Sequence, residues 1–388
     1  TDSRGSIVVP SGSPNSAVAV HRSLGKRGIH TIGVSEREGA PSFTSRYCGE
    51  SVVVPDPGTD LAGYKQGLLA LAQRRGVRTV VPLREEDAFV LAKYRSAFER
   101  TSTVFGPSLD QLAVAHDGLR LRRLAAEAGV AVPETARYDE IDDWDRELLV
   151  KPRYAVLCRE YLPDRSVDGV EGTGNPEFVE PGQKPDESRL REEMGHLPLV
   201  QEYVRGPQYS FRALYDDGEA VVTSQKRLVR GYKYARGPSV FHRAVDRPGL
   251  AESGTRLLDA LDWHGPASVQ FIRDRDSGEY KLLEVNPRFW ASVPMDIAAG
   301  VDYPFYFWQL ANGSESIPSP SYEEGTASHR LVGEGVHLLS VLFDEYPLVE
   351  KPSAGGTLTS MLRSLWTHPN FDLLDLRDPR PFIRDAVG

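Results

Sequence analysis

Residues 281–292 read KLLEVNPRFWAS, and how this stretch is read decides the fold. A strand with one face on a core alternates apolar and polar residues with a period of two. Here Leu283 and Val285 take the apolar places, while Glu284 and Asn286 fill the alternate ones. Side chains two residues apart share a face, so an acid and an amide stand side by side away from the core. Pro287 has no N–H for a ladder and ends the strand, which turns Arg288 out beside them.

Ala267–Arg273 forms the other arm of a hairpin with Tyr280–Asn286, around the turn residues Asp274–Glu279. A hairpin centred near Ser277 sets Gln270 opposite Glu284 on the face that Asn286 shares. Hard dications such as Mg²⁺ take oxygen ligands, commonly one or two carboxylates together with nucleotide phosphates. Gln270, Glu284 and Asn286 are therefore candidate metal ligands. Arg288 is the candidate to meet phosphate or carboxylate oxygens with its planar fork. A solvated edge face with an unrelated Glu and Asn is the alternative.

The chain around this hairpin has 388 residues, enough for two or three lobes. Its composition, 40% hydrophobic and 26% charged with a net charge of −9, announces no basic surface for nucleic acid. With Cys48 and Cys158 as its two cysteines there is no disulfide framework, which fits a reducing compartment, and no spacing suits structural zinc. No run approaches the ~20 apolar residues of a membrane span, and the opening TDSRGSIVVPSG lacks signal-peptide character. A cytoplasmic protein acting on small molecules is the expectation, without nucleic-acid or membrane partners.

Ser6–Pro10, the helical period from Ala17 to Leu24, and His30–Val34 read as a β-loop-α-β unit, the start of a parallel sheet. The pattern recurs with strands at 51–54 and 79–82 and a helix at 61–73, giving an α/β lobe over residues 1–108. PSGSPNSA lacks the glycines of a dinucleotide fingerprint, which disfavours NAD, although Ser11–Asn15 and Glu85–Asp87 fall where open parallel sheets bind ligands. Leu112–Ala128 reads as one helix, and LLVKPRYAV as a strand over 148–156 with Lys151 at its centre. Residues 163–187 read as a polar loop, LVQEYV as a strand, and Tyr209–Ser224 as a hairpin around Asp216-Asp217-Gly218. The cationic run over 224–243 concentrates positive potential where anions could meet, with Lys226, Arg227 and Arg236 the candidates in it. Helices are expected at 334–343 and 358–366, with Trp366 and Phe371 as packing anchors.

With SVQFIRDRDSGEYKLLEVNPRF, LLVKPR and VQEYVRG in hand, the sequence resembles the ATP-grasp superfamily, in its carbamoyl-phosphate synthetase and biotin carboxylase branch. The resemblance runs from about Asp117 to Gly313. It implies an ATP-grasp fold of mixed α/β and α+β class, in which two α+β subdomains clamp ATP behind a Rossmann-like α/β domain. The divisions expected are 1–108, 109–198 with the lysine strand and lid, 199–315 with the adenine hinge and metal site, and a C-terminal extension, 316–388. It further implies ATP and two Mg²⁺ ions, with Mn²⁺ admissible in their place. Lys151 would contact phosphates, Glu202 with the backbone of Tyr203 and Val204 would meet adenine, and Gln208 would stand where the family has an acid on the ribose hydroxyls. The family's Asp-Lys pair is here Asp117-Gly118, with Arg120 or Arg122 as the nearby substitute. The implied activity is an ADP-forming carboxylate-amine ligase with small-molecule carboxylate and amine partners, and a homodimer is compatible with it. An Mg-ATP-binding protein without turnover, and a kinase of the same fold, are the competing readings.

Overall fold

The computed structural model describes residues 5–165, 168–314, 317 and 322–387. The first layer is a parallel sheet in the order β3-β2-β1-β4, built from β1 (Ser6–Pro10), β2 (His30–Ser35), β3 (Glu50–Val53) and β4 (Val77–Val80). Helix α1 (Pro14–Gly25) crosses from β1 to β2, α2 (Leu61–Ala72) precedes β4, and α3 (Glu85–Lys93) follows it. Short β-branched runs separated by amphipathic helical spacing leave little choice but this crossover arrangement.

A short helix α4 (Arg95–Phe98) leads to α5 (Leu109–Ala115) and α6 (Gly118–Glu127). The sequence predicts one helix over 112–128; the structure has two. Asp117 breaks it, accepting the backbone N–H groups of Leu119 and Arg120 as the N-cap of α6. A small antiparallel sheet in the order β5-β10-β6-β9 follows, from β5 (Thr135–Arg137), β6 (Leu148–Lys151), β9 (Glu177–Val179) and β10 (Leu199–Glu202), with α7 (Glu187–Met194) beside it. Lys151 is the last residue of β6 rather than the middle of a longer strand, because Pro152 cannot continue the ladder. Val156 belongs to a separate ribbon of β7 (Val156–Leu157) with β8 (Glu171–Gly172), so the segment expected to be a loop contains two short strands.

The central element is a six-stranded antiparallel sheet, β15-β14-β11-β12-β13-β16. Its strands are β11 (Gln208–Asp216), β12 (Glu219–Gly231), β13 (Ser239–Ala244), β14 (Gly265–Arg273), β15 (Tyr280–Asn286) and β16 (Ala327–His329). The cationic run over 224–243 is mostly strand, divided between β12 and β13. One face of the sheet packs Phe211, Ala213, Val269, Phe271 and Val285 into a core with α8 (Pro248–Ala260). Short helices α9 (Val293–Ala298) and α10 (Tyr303–Ala311) lie against α1, which explains why α1 is buried along nearly its whole length. The boundary expected at 315–316 lies outside the described residues.

Beyond β16 come α11 (Leu331–Phe343), α12 (Ala354–Thr367) and α13 (Arg380–Val387), and α13 packs on residues 41–44 of the first layer. Phe371 lies beside the His329 ring. Trp366, expected as a packing anchor, is 87% exposed instead, because α12 buries the neighbouring stripe Thr357, Met361 and Ser364.

Candidate functional site

The strand register brings the sequence-derived donors together. Glu284, Gln270, Ser210 and Lys226 form one cross-strand row, and Asn286, Ser268, Arg212 and Ser224 form the next. Residues directly opposite share a face, so all eight side chains rise from the side of the sheet opposite its apolar core. Asn286 Nδ2 donates to Glu284 Oε1 at 2.9 Å, and Arg288 Nη2 donates to Asn286 Oδ1 at 2.9 Å. The register departs from a simple hairpin in one respect. Phe271 pairs with Leu282, so Leu283 forms a bulge and it is Leu282, not Leu283, that enters the core. The carbonyl freed at Leu283 accepts from Arg122 Nη2 at 3.1 Å.

Arg288 ties the sheet to the first layer. Its Nε meets Glu85 Oε1 at 2.8 Å, and the other Glu85 oxygen lies 3.1 Å from Nε2 of the buried His116. Burial alone would raise the Glu85 carboxyl; Arg288 and His116 outweigh it and hold the group below its ordinary range. Glu85 was flagged by its place after a parallel strand. His116 carries no local signal, since its role depends on a residue 31 positions away.

Lys151 sits between Arg122 and Glu284. Burial, with Arg122 adding like-charge repulsion and Glu284 opposing, lowers its ammonium from 10.5 to about 7. Lys151 makes no side-chain hydrogen bond or ion pair among the described residues. Arg122 is buried, donates to Gln201 Oε1 at 2.9 Å and to the Gly118 carbonyl at 2.9 Å, and keeps an unpartnered Nε. Gly118 has little room for a side chain, since a Cβ there would lie 3.1 Å from both the Arg153 carbonyl and Leu199. At the segment joining β10 to β11, Glu202 pairs with Lys281 at 2.8 Å and accepts the Glu134 N–H, while the Tyr203 N–H donates to the Glu147 carbonyl. The Val204 N–H has no backbone partner among the described residues, and Gln208 opens β11 opposite Ile272.

The three cations of the 224–243 run part company. Lys226 joins the polar face, its Nζ 2.8 Å from Ser239 Oγ and 3.2 Å from Ser292 Oγ; burial lowers it to about 7. Arg227, one residue on, is exposed on the other side. Arg236 is exposed in the β12–β13 turn, over the Tyr346 ring. Two acids missed by sequence reasoning also reach this face. Asp296 binds the fully buried Arg212 and accepts from Ser224 and the Trp290 indole. Asp372 lies between His242, Ser328 and Asn15. An Arg inside the apolar strand YSFRALY was the one available signal for the first; the second had none.

This donor set suits a dication held with a polyphosphate. Gln270, Glu284 and Asn286 offer hard oxygen or amide donors, while Lys151 and Arg122 offer positive charge that the protein leaves undercompensated. Residues 196–331 match the family model described as ATP-grasp in the biosynthetic pathway with Ter operon. The chain is 24% identical over 193 residues to the N-terminal section of a carbamoyl phosphate synthase large chain from Methanopyrus kandleri, covering 48% of this chain and 33% of that protein. It spans 24–44% of the length of the curated relatives it matches. Among solved structures, biotin carboxylase from Campylobacter jejuni superposes with a TM-score of 0.62 at 14% identity, over 83% of this chain and 74% of that one. An L-amino acid ligase from Bacillus licheniformis gives 0.56 at 15% identity, over 83% and 76%.

Proposed function

Because the chain carries an ATP-grasp domain with homology to carbamoyl phosphate synthase and biotin carboxylase, we propose that it is an ATP-dependent ligase joining a small-molecule carboxylate to an amine. The observation that carries this reading is the convergence of Gln270, Glu284, Asn286 and Arg288 on one sheet face, beside a Lys151 that makes no side-chain hydrogen bond or ion pair among the described residues. In the reaction a carboxylate oxygen bonds to the γ-phosphorus as ADP leaves with the bridging oxygen. The amine nitrogen then forms the C–N bond, phosphate departs with the C–O electron pair, and the amine releases a proton.

Gln270, Glu284 and Asn286 hold Mg²⁺, which when bound neutralises phosphate charge and polarises the transferred group. Two ions, with Mn²⁺ as a substitute, belong to this reading. Lys151 and Arg122 meet the phosphates. Glu202 and the backbone at Tyr203 and Val204 receive the base, with Gln208 on the ribose. Arg288, held by Glu85 and Asn286, orients the carboxylate and then the acyl phosphate. Lys226 steadies the substrate from the far end of its row; Arg227 and Arg236 face elsewhere and are left with a role in the wider positive field. The cytoplasm is the proposed setting.

A second reading, Mg-ATP binding without turnover, is favoured by Gly118, where the resemblance expects a lysine and where space is lacking. Incubation with Mg-ATP and pooled amino and hydroxy acids separates the two. ADP and a product mass equal to acid plus amine less water are expected. AMP and pyrophosphate would overturn the acyl-phosphate route; tight nucleotide binding with no ADP released would favour the second reading.

A further inference from the structure

Helix α11 faces the wrong way for a helix at the edge of a folded unit. Its polar residues point inward: Glu334 binds Arg230 and His329, His337 Nδ1 meets the Gly231 carbonyl at 2.7 Å, and Ser340 receives the Tyr234 N–H. Its apolar residues Leu339, Leu342 and Phe343 are exposed, Phe343 by 77%. Helix α12, packed on α11, repeats the pattern. Leu358, Leu362 and Trp366 recur at i, i+4 and i+8 and so share one side, with Leu362 61% exposed.

We propose that the outward faces of α11 and α12 form the two-fold interface of a homodimer. A pair of packed helices with one apolar side uncovered is half of a four-helix bundle, and a second copy supplies the other half through the same patch. The six side chains expose on the order of 600–700 Å², beyond the largest patch of an ordinary monomer and close to the ~800 Å² each partner contributes to a stable interface. The chemistry favours a second copy over a membrane surface. The two helices carry a single Arg or Lys, Arg363, where anionic headgroups would need a basic rim. An uncharged patch also lets two chains of net charge −9 approach with their charges kept apart.

Sedimentation velocity of the full chain over a wide concentration range tests this. The wild type is expected to sediment as a dimer, and the Leu362→Glu/Trp366→Glu double substitution as a monomer with an unchanged far-ultraviolet circular dichroism spectrum. Thr367→Glu, away from the stripe, keeps the dimer. A monomeric wild type at every concentration, a dimer that survives the double substitution, or a monomer that co-sediments with phosphatidylserine vesicles would each overturn the proposal. The readout is independent of nucleotide chemistry, so it stands or falls apart from the ligase reading.

Discussion

Two charge clusters on the central sheet, one buried around Arg230 and one reaching solvent at Glu284, are finished to different degrees. Around Arg230 the opposite charges are paired: Nε and Nη2 bond both oxygens of Glu334, Ser364 takes Nη2, and His329 shares the Glu334 carboxylate through Nδ1 while its Nε2 is left without a partner. Although burial pushes the Glu334 carboxyl up, His329 and Arg230 hold it below the ordinary range. Around Glu284 the network is open, with Lys151 lowered toward neutrality and Arg122 Nε unpartnered. Undercompensated buried charge is costly, and proteins retain it where a ligand completes it. The contrast separates charges paired within the fold from charges that, in the proposed ligase, a substrate would complete.

Removing a charge on each side sharpens that contrast. Glu284→Gln is expected to lower ADP formation by on the order of 10²–10³-fold with little change in melting temperature, since it removes charge from the open cluster alone. Steady-state ADP release and thermal melts report both, and equal turnover would mean the cation lies elsewhere.

Glu334→Gln is expected to do the reverse, costing about 3–5 kcal/mol of stability because Arg230 keeps its charge without a counter-ion. Urea midpoints measure the loss, and Mg-ATP affinity should hold. The depressed Glu334 carboxyl contributes stability above its unfolded-state range, near 4.5, and loses it as pH falls through the folded value. The gap between variant and wild type should therefore narrow in acid.

Lys226→Met is the smallest effect and has the opposite sign. The unfolded chain keeps this proton to about 10.5 and the folded chain only to about 7, so the unfolded state binds more protons between those values. Wild-type stability then rises with pH across that window. Methionine removes the slope and should stabilise the protein by about 1–2 kcal/mol at neutral pH, an advantage that fades toward pH 10. Urea midpoints at three pH values would show it, and a constant difference would contradict a depressed Lys226.

The parallel first layer, the antiparallel sheet and the Gln270–Glu284 pairing were legible because each depends on local periodicity. Breaks were less so. Asp117 ends one helix by capping the next, and Pro152 stops β6 at Lys151; both are short-range signals masked by the apolar run around them. The Leu283 bulge left no trace in composition, because a strand of Leu and Val tolerates either register.

The amino-acid order by itself determined that Glu284 and Asn286 share a face and that Arg288 follows a strand end, since side-chain alternation and the missing proline N–H act within a few residues. Only the folded chain decided which groups complete them: Glu85 against Arg288, Arg122 beside Lys151, and Asp296 under Arg212. The same holds for α11, whose polar side is inward because Arg230, on a strand about a hundred residues away, lies there to be neutralised. Charges interact through space and not along the chain, so their partners appear only when distant segments meet.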